Sequence, residues 1–96
     1  MTKQDIITAF QNWITKYGSS YNELYVGITS NIDQRLFTDH GVNKVDIWIH
    51  APADSNETAR SVEKYFLDTG CDGDTGGGDY FSTRVYAYKK NSHTNP

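Results

Sequence analysis

The sequence predicts an α+β domain, a small three-stranded sheet flanked by helices in the order α-β-α-β-α-β. Three observations carry that prediction. Apolar residues recur at helical spacing over 3–17, 31–39 and 55–68, and alternate at strand spacing over 23–29, 45–51 and 83–89. The connections between strands are long enough to carry helices, which leaves strand adjacency and direction open. The composition, 36% hydrophobic and 14% aromatic over 96 residues, suits one modest core rather than a disordered chain. Residues 1–90 are read as a single domain and 91–96 as a polar tail that frays.

In the first helix, 3–17, Ile6, Phe10, Trp13, Ile14 and Tyr17 share one face. The stripe is expected to cover one face of the sheet, with an exposed partner-binding groove as the alternative. Thr2 with Asp5 reads as its N-cap, and Gly18 as its stop. The strand 23–29 alternates Leu24, Val26 and Ile28 with Tyr25 and Gly27. It runs into a helix at 31–39, capped by Ser30 with Asp33 and ended by Gly41, in which Ile32 and Leu36 share a face.

The strand 45–51 sets Val45, Ile47 and Ile49 against Asp46, Trp48 and His50, and Pro52 breaks it. Asp54 and Glu57 frame the start of the helix 55–68. Ala59, Val62 and Phe66 mark its buried face, with Glu63 beside that face. Residues 69–80 form a glycine- and aspartate-rich loop, read as a connector or a lid. Its Asp72, Asp74 and Asp79 lack the spacing of a calcium loop, and no Gly-Lys-Ser/Thr makes it a phosphate loop. The last strand, 83–89, alternates Arg84, Tyr86 and Tyr88 with Val85 and Ala87.

No apolar run approaches the roughly 20 residues that span a bilayer, and Met1–Asp5 lacks a signal-peptide pattern. The single cysteine, Cys71, rules out an internal disulfide and a thiolate zinc cluster, and reads as an ordinary thiol. A cytoplasmic protein with no membrane association is expected. Nine Lys and Arg against twelve Asp and Glu give a net charge of −3, with no basic stripe. Counterion release from nucleic acid would therefore be small, and any such ligand is held weakly or the partner is something else.

The most informative stretch is Glu23–Leu36. Its strand leads directly into its helix, and Gly27 permits close approach where a side chain would block it. Tyr25 and Arg35 then fall near the junction, a phenol beside a guanidinium, which suits a phosphate. The alternative is a core strand with a surface Tyr and a solvated Arg.

This segment resembles the second half of the signature of the GIY-YIG nuclease family. There a strand ending in Tyr-Ile-Gly leads through a Thr-containing turn to a helix with an essential Arg. Tyr25-Val26-Gly27, Thr29 and Arg35-Leu36 stand at those positions. In the family a further strand precedes a helix whose Glu holds one divalent metal; Asp46–His50 and the helix carrying Glu63 look similar. The resemblance covers about residues 23–67. It implies metal-dependent phosphodiester hydrolysis, with Tyr25, Arg35 and Glu63 catalytic and Glu63 the ligand of Mg2+ or Mn2+. Gly27, Thr29 and His40 would be supporting residues, and nucleic acid the substrate, DNA ahead of RNA. For Glu63 a surface carboxylate paired with a neighbouring Lys or Arg stays open.

Three departures from the family pattern bear on that implication. The opening Gly-Ile-Tyr strand is missing before Tyr25, where a helix is expected instead. The C-terminal strand would replace it in a circular permutation, with Tyr86 or Tyr88 as the second tyrosine, provided that it pairs with 23–29. The family's His four residues after the Arg is Asp39 here, and His40, one position late, reads as a surface residue closing a helix. The basic segment before the next strand is cut to Val42-Asn43-Lys44. The alternative function is a catalytically silent module of the same kind. Its acidic surface and its aromatic residues Trp48, Tyr65, Tyr80, Phe81, Tyr86 and Tyr88 would bind or inhibit a protein partner.

Overall fold

The computed structural model describes residues 1–17, 19–74 and 79–96. Helix α1 (Lys3–Tyr17) buries Ile6, Phe10 and Ile14 of the expected stripe and also Ile7, which lies outside it, while Trp13 is partly buried and Tyr17 stays exposed. Its start is capped as the sequence predicts: Thr2 Oγ1 accepts from the Asp5 N–H at 3.1 Å, and the Asp5 carboxylate accepts from the Thr2 N–H at 3.4 Å. The expected stop, Gly18, lies outside the described residues. A short 3-10 turn (Tyr21–Glu23) leads into β1 (Leu24–Thr29), all six of whose residues are buried.

The helix after β1 differs from the expected one. It is a π-helix (Asp33–Asp39), and its cap is not Ser30. Thr29 Oγ1 accepts from the Asn31 N–H at 3.0 Å, which turns the chain at Ser30 and leaves Asn31 Oδ1 to accept from the Gln34 N–H at 3.2 Å. Gly41, at φ 70°, ends the helix as expected.

The second strand, β2 (Trp48–Pro52), starts three residues later than the alternation suggests. Asn43 and Asp46 close a turn instead (Asp46 N–H to Asn43 O, 2.9 Å; Asn43 N–H to Asp46 Oδ2, 2.8 Å), which leaves Val45 93% exposed. Pro52 ends β2 rather than excluding itself from it; an edge strand tolerates a residue with no N–H. In α2 (Asn56–Thr69) the cap is Ser55, one residue after the expected Asp54, and it accepts from the Thr58 N–H at 3.1 Å. Asp54 pairs with the Met1 ammonium at 2.9 Å.

The sheet has four strands, not three. Its order is β2-β4-β1-β3, with β3 (Asp72–Gly73) inside the stretch read as a loop and β4 (Arg84–Lys89) at the expected place. Strand β4 is antiparallel to both β2 and β1, whereas β3 lies parallel to β1 on its other side. Gly73 makes β3 possible: a Cβ there would come within 2.6 Å of Val26 O and 2.7 Å of Leu67 Cδ2. The fold is thus α+β with a mixed sheet. Residues 75–78 of the expected loop lie outside the described residues.

One face of the sheet, made by Leu24, Val26, Ile28, Val85, Ala87 and Ala51, packs under α1 and α2, where Phe10 stacks on Phe66 at 5.6 Å between ring centroids. On the opposite face Tyr25, Tyr86 and Tyr88 form a second cluster with Ile32, Leu36 and Val42. The tail is not frayed. Thr94 is buried, the Asn95 N–H donates to His40 O at 2.7 Å, and His93 Nε2 meets Asp46 Oδ2 at 2.7 Å. Among the described residues no helix is long and apolar enough to cross a membrane.

Candidate functional site

The site is built on the register of β1 against β4. Tyr25 faces Tyr88, Gly27 faces Tyr86, and Thr29 faces Arg84, so alternation turns these six positions to the face away from α1 and α2. The three phenol rings lie near-parallel, with Tyr25 5.4 Å from Tyr88 and 6.5 Å from Tyr86 between centroids. Gly27 is the floor. A Cβ there would sit 2.6 Å from Tyr86 Cζ and closer still to its hydroxyl oxygen, so the ring crosses β1 only because position 27 has no side chain.

His40 is the residue that reasoning from the sequence misplaced. It is 3% exposed rather than on the surface, and it stands among all three tyrosines. Its Nε2 is 2.7 Å from Tyr86 Oη, and its Nδ1 is 2.7 Å from Asn95 O and 3.1 Å from Tyr88 Oη. A carbonyl only accepts, so Nδ1 carries the proton and Nε2 accepts from the Tyr86 hydroxyl. Burial, aided by the Arg35 charge and opposed by the Asn95 carbonyl, holds the imidazole below its ordinary pKa and hence neutral.

The π-helix explains how His40 gets there. The His40 N–H donates to Arg35 O at 3.0 Å, an i to i+5 bond. The wider turn brings the fifth residue after Arg35 back to the side on which an α-helix would put the fourth. His40 thereby hydrogen-bonds the Tyr86 phenol, while Arg35 acts on that phenol through its charge and pairs with Asp39 at 3.5 Å.

Desolvation dominates the chemistry of the phenols. It pushes Tyr86 up to about 12, against the nearby Arg35 guanidinium, which pulls it down. Tyr25 and Tyr88 are raised for the same primary reason. Glu63 is buried at 4% exposure, which overturns the surface ion-pair alternative, and its Oε2 has no hydrogen-bond partner among the described residues. Desolvation lifts its carboxyl to about 7, with Arg60 lowering it and Asp74 raising it further. Its negative charge in turn contributes to the raised values of Tyr25 and Tyr86.

Tyr25, Arg35, His40, Tyr86 and Tyr88 therefore form one network floored by Gly27. The Thr29 hydroxyl is engaged with both backbone groups of Asn31. Glu63 couples to the network through charge alone. It lines a cavity of about 280 Å³ with Arg60, Lys64, Leu67 and Asp68, whereas Arg35 lines another of about 370 Å³ with Ile28, Thr29, Ser30, Asp79 and Ser82. An orphaned buried carboxylate oxygen is a donor that a hard divalent cation would satisfy. Among the described residues no three His, Cys, Asp or Glu side chains cluster, so Glu63 would share such an ion with water and substrate oxygens.

Two contributors were invisible beforehand. Asn95 acts through its backbone carbonyl, which no side-chain pattern reports. Asp74 acts through charge on Glu63 and Tyr25, set by its place just after β3. Cys71 is buried and its thiol is pushed up to about 11 by desolvation, which fits its reading as an ordinary thiol. The chain matches no family model, no curated protein and no solved structure.

Proposed function

We propose that this domain hydrolyses phosphodiester bonds in nucleic acid as a circularly permuted, GIY-YIG-like, metal-dependent endonuclease. The observation that carries the reading is the Tyr86 phenol, hydrogen-bonded to His40 Nε2 at 2.7 Å with the positive charge of Arg35 acting on it. The antiparallel pairing of β4 with β1 supports the permutation, since it seats Tyr86 beside Gly27 and Tyr88 beside Tyr25.

In this reading His40 Nε2 accepts the Tyr86 proton, and the phenolate takes a proton from the attacking water. The resulting hydroxide bonds to phosphorus while the bond to the leaving oxygen breaks; that oxygen takes up a proton from solvent water, and His40 gives its proton back to solvent, so that no net proton is gained. Arg35 compensates the negative charge that builds on the phosphoryl oxygens and stabilises the phenolate. Glu63 would hold Mg2+ or Mn2+, which supplies polarisation of the phosphate and stabilisation of the leaving oxygen. Tyr25 completes the polar face beside Tyr86 and keeps water from the imidazole.

The decisive experiment is nicking of supercoiled plasmid and of branched and single-stranded oligonucleotides with Mg2+ or Mn2+, then with chelator. Metal-dependent cutting that Glu63→Gln and Arg35→Ala both lose is the expected result. No cutting of any substrate, or cutting that both variants retain, removes the enzyme reading. The second reading, a catalytically silent protein-binding module, is favoured by one observation: Tyr86 and Tyr88 are 1% and 0% exposed, which leaves little of either phenol open to a substrate.

A further inference from the structure

The turn Asp79–Ser82 is densely hydrogen-bonded and carries two of the most exposed aromatic rings in the protein. Tyr80 is 87% exposed and Phe81 79%. The backbone beneath them is tied from several sides. The Ser82 N–H donates to Asp79 O at 3.1 Å, and the Asp79 N–H to Ser82 Oγ at 2.9 Å. Asp79 Oδ1 accepts from the Phe81 N–H at 3.0 Å and from the Ser82 hydroxyl at 3.1 Å. From the first turn of α2, Asn56 Nδ2 clamps both Asp79 O and Ser82 O, at 2.9 and 2.8 Å. Two solvated rings on a turn held this firmly are preorganised for a flat partner.

The cations around the turn say what kind of partner. The sequence holds three arginines, Arg35, Arg60 and Arg84. All three adjoin this turn. Arg35 shares a cavity with Asp79 and Ser82, Arg60 shares one with Tyr80, and Arg84 follows Ser82 by two residues. In a chain of net charge −3, one guanidinium, Arg60, thus stands beside the Tyr80 ring, a second, Arg35, lies against the base of the turn, and the third, Arg84, follows it in the chain. Guanidinium forks suit phosphate oxygens, and aromatic faces suit nucleobases whatever their identity. Glu57 beside Tyr80 and Asp33 beside Arg84 limit the electrostatic grip, so stacking has to carry much of the affinity.

We propose that the Asp79–Ser82 turn is a stacking platform for unpaired nucleobases, with the surrounding arginines taking the flanking phosphates, so that the ligand is single-stranded or splayed nucleic acid rather than intact duplex. In duplex the base faces are already stacked on one another and are closed to Tyr80 and Phe81. The inference rests on the nucleic-acid reading above and names the class of strand that the same site receives.

The test is fluorescence anisotropy with chelator present, which separates binding from cutting. The probes are a fluorescein-labelled 20-nucleotide single strand, the same sequence as duplex, and the single strand carrying a run of abasic sites. The single strand is expected to bind about tenfold more tightly than the duplex or the abasic strand. Tyr80→Ala/Phe81→Ala should lose about tenfold on the intact strand and none on the abasic one, and Tyr80→Phe should bind like the wild type. The logarithmic salt slope should be roughly −2, three phosphates at about −0.7 each, and Arg84→Ala should reduce it by about 0.7.

Equal binding of single strand and duplex overturns the proposal, and so does an alanine double variant that binds as the wild type does. Binding to none of the probes also overturns it and assigns the rings to a protein interface. Platform-dependent binding without cleavage sinks the nuclease reading alone. Cleavage of duplex that the double variant retains sinks the platform alone.

Discussion

The Tyr86 ring lies across the backbone of Gly27, its cross-strand partner, in the space a side chain would take. The contact joins a glycine that the sequence marks as a point of close approach to a tyrosine about sixty residues later. Gly27→Ala should destabilise the protein by about 2–3 kcal/mol, because a Cβ 2.6 Å from Tyr86 Cζ forces the ring or the strand to shift. Urea denaturation checks this, together with the double variant Gly27→Ala/Tyr86→Leu. Recovery of a large part of the loss in the double variant identifies the clash; additive losses would show that position 27 is constrained by something else.

Arg35 offers a contrast between stability and activity. Its ion pair with Asp39 is half-exposed and contributes less than about 1 kcal/mol. Arg35→Ala should therefore leave the melting temperature within a few degrees of the wild type while lowering the cleavage rate by about 10²–10³-fold. Arg35→Lys should recover little of it, since an ammonium does not reproduce the fork. A rate that falls only as far as the folded fraction falls would reduce Arg35 to a structural role.

The buried carboxyl of Glu63 gives a pH signature with a definite sign. Its folded pKa of about 7 lies above the ordinary value of 4.5, so between those limits the folded state holds a proton that the unfolded state has released. Its contribution to stability therefore falls as pH rises from about 4.5 to 7. Glu63→Gln, measured with chelator present, should match the wild type near pH 4 and exceed it by about 3 kcal/mol at pH 8. A constant difference across that range would show that the carboxyl is not desolvated. Divalent cations should narrow the gap at pH 8 by stabilising the wild type alone.

His40 has the opposite sign. Its folded pKa is depressed below 6.5, so its contribution is complete above that value and is lost as pH falls through the lowered folded pKa. The stability difference between wild type and His40→Gln should shrink correspondingly in acid. Long-range 1H–15N spectra should show the neutral ring with its proton on Nδ1. Ending the chain at Asn91 removes the Asn95 carbonyl and should cost about 1–3 kcal/mol, with the ring losing its fixed tautomer. An unchanged ring spectrum in the shortened protein would remove Asn95 from the network.

Much of the framework was legible in the residues. The stripe of Ile6, Phe10 and Ile14, the alternation about Tyr25 and Gly27, and the Ala59, Val62 and Phe66 face of α2 are periodic signals that tertiary packing reinforced. What escaped was set by hydrogen bonds rather than by periodicity. Val45 and Ile47 alternate like strand residues, but Asn43 and Asp46 close a turn over them. Asp72 and Gly73 have no strand propensity and pair only because Gly70, at φ 128°, returns the chain along the free edge of β1. The site was legible by residue type and not by depth. Tyr25, Arg35, Tyr86 and Tyr88 were picked out, whereas the burial of His40 depends on a π-helical bond that apolar spacing does not encode.

The position of β4 between β2 and β1 has a consequence for how the molecule is made. In the sheet β1 and β2 do not pair with each other, and β4, the neighbour they share, is synthesised after both. Leu24 waits for Lys89, and Trp48 for Tyr88. Until then both present open edges on the side that β4 fills, and of the sheet's pairings only that of β1 with β3 can form. Closing so long a loop is entropically slow, and the two pairings of β4 form in one late event. Chain arrested before residue 84 is therefore expected to recruit chaperones, and chain released past it to fold as a unit.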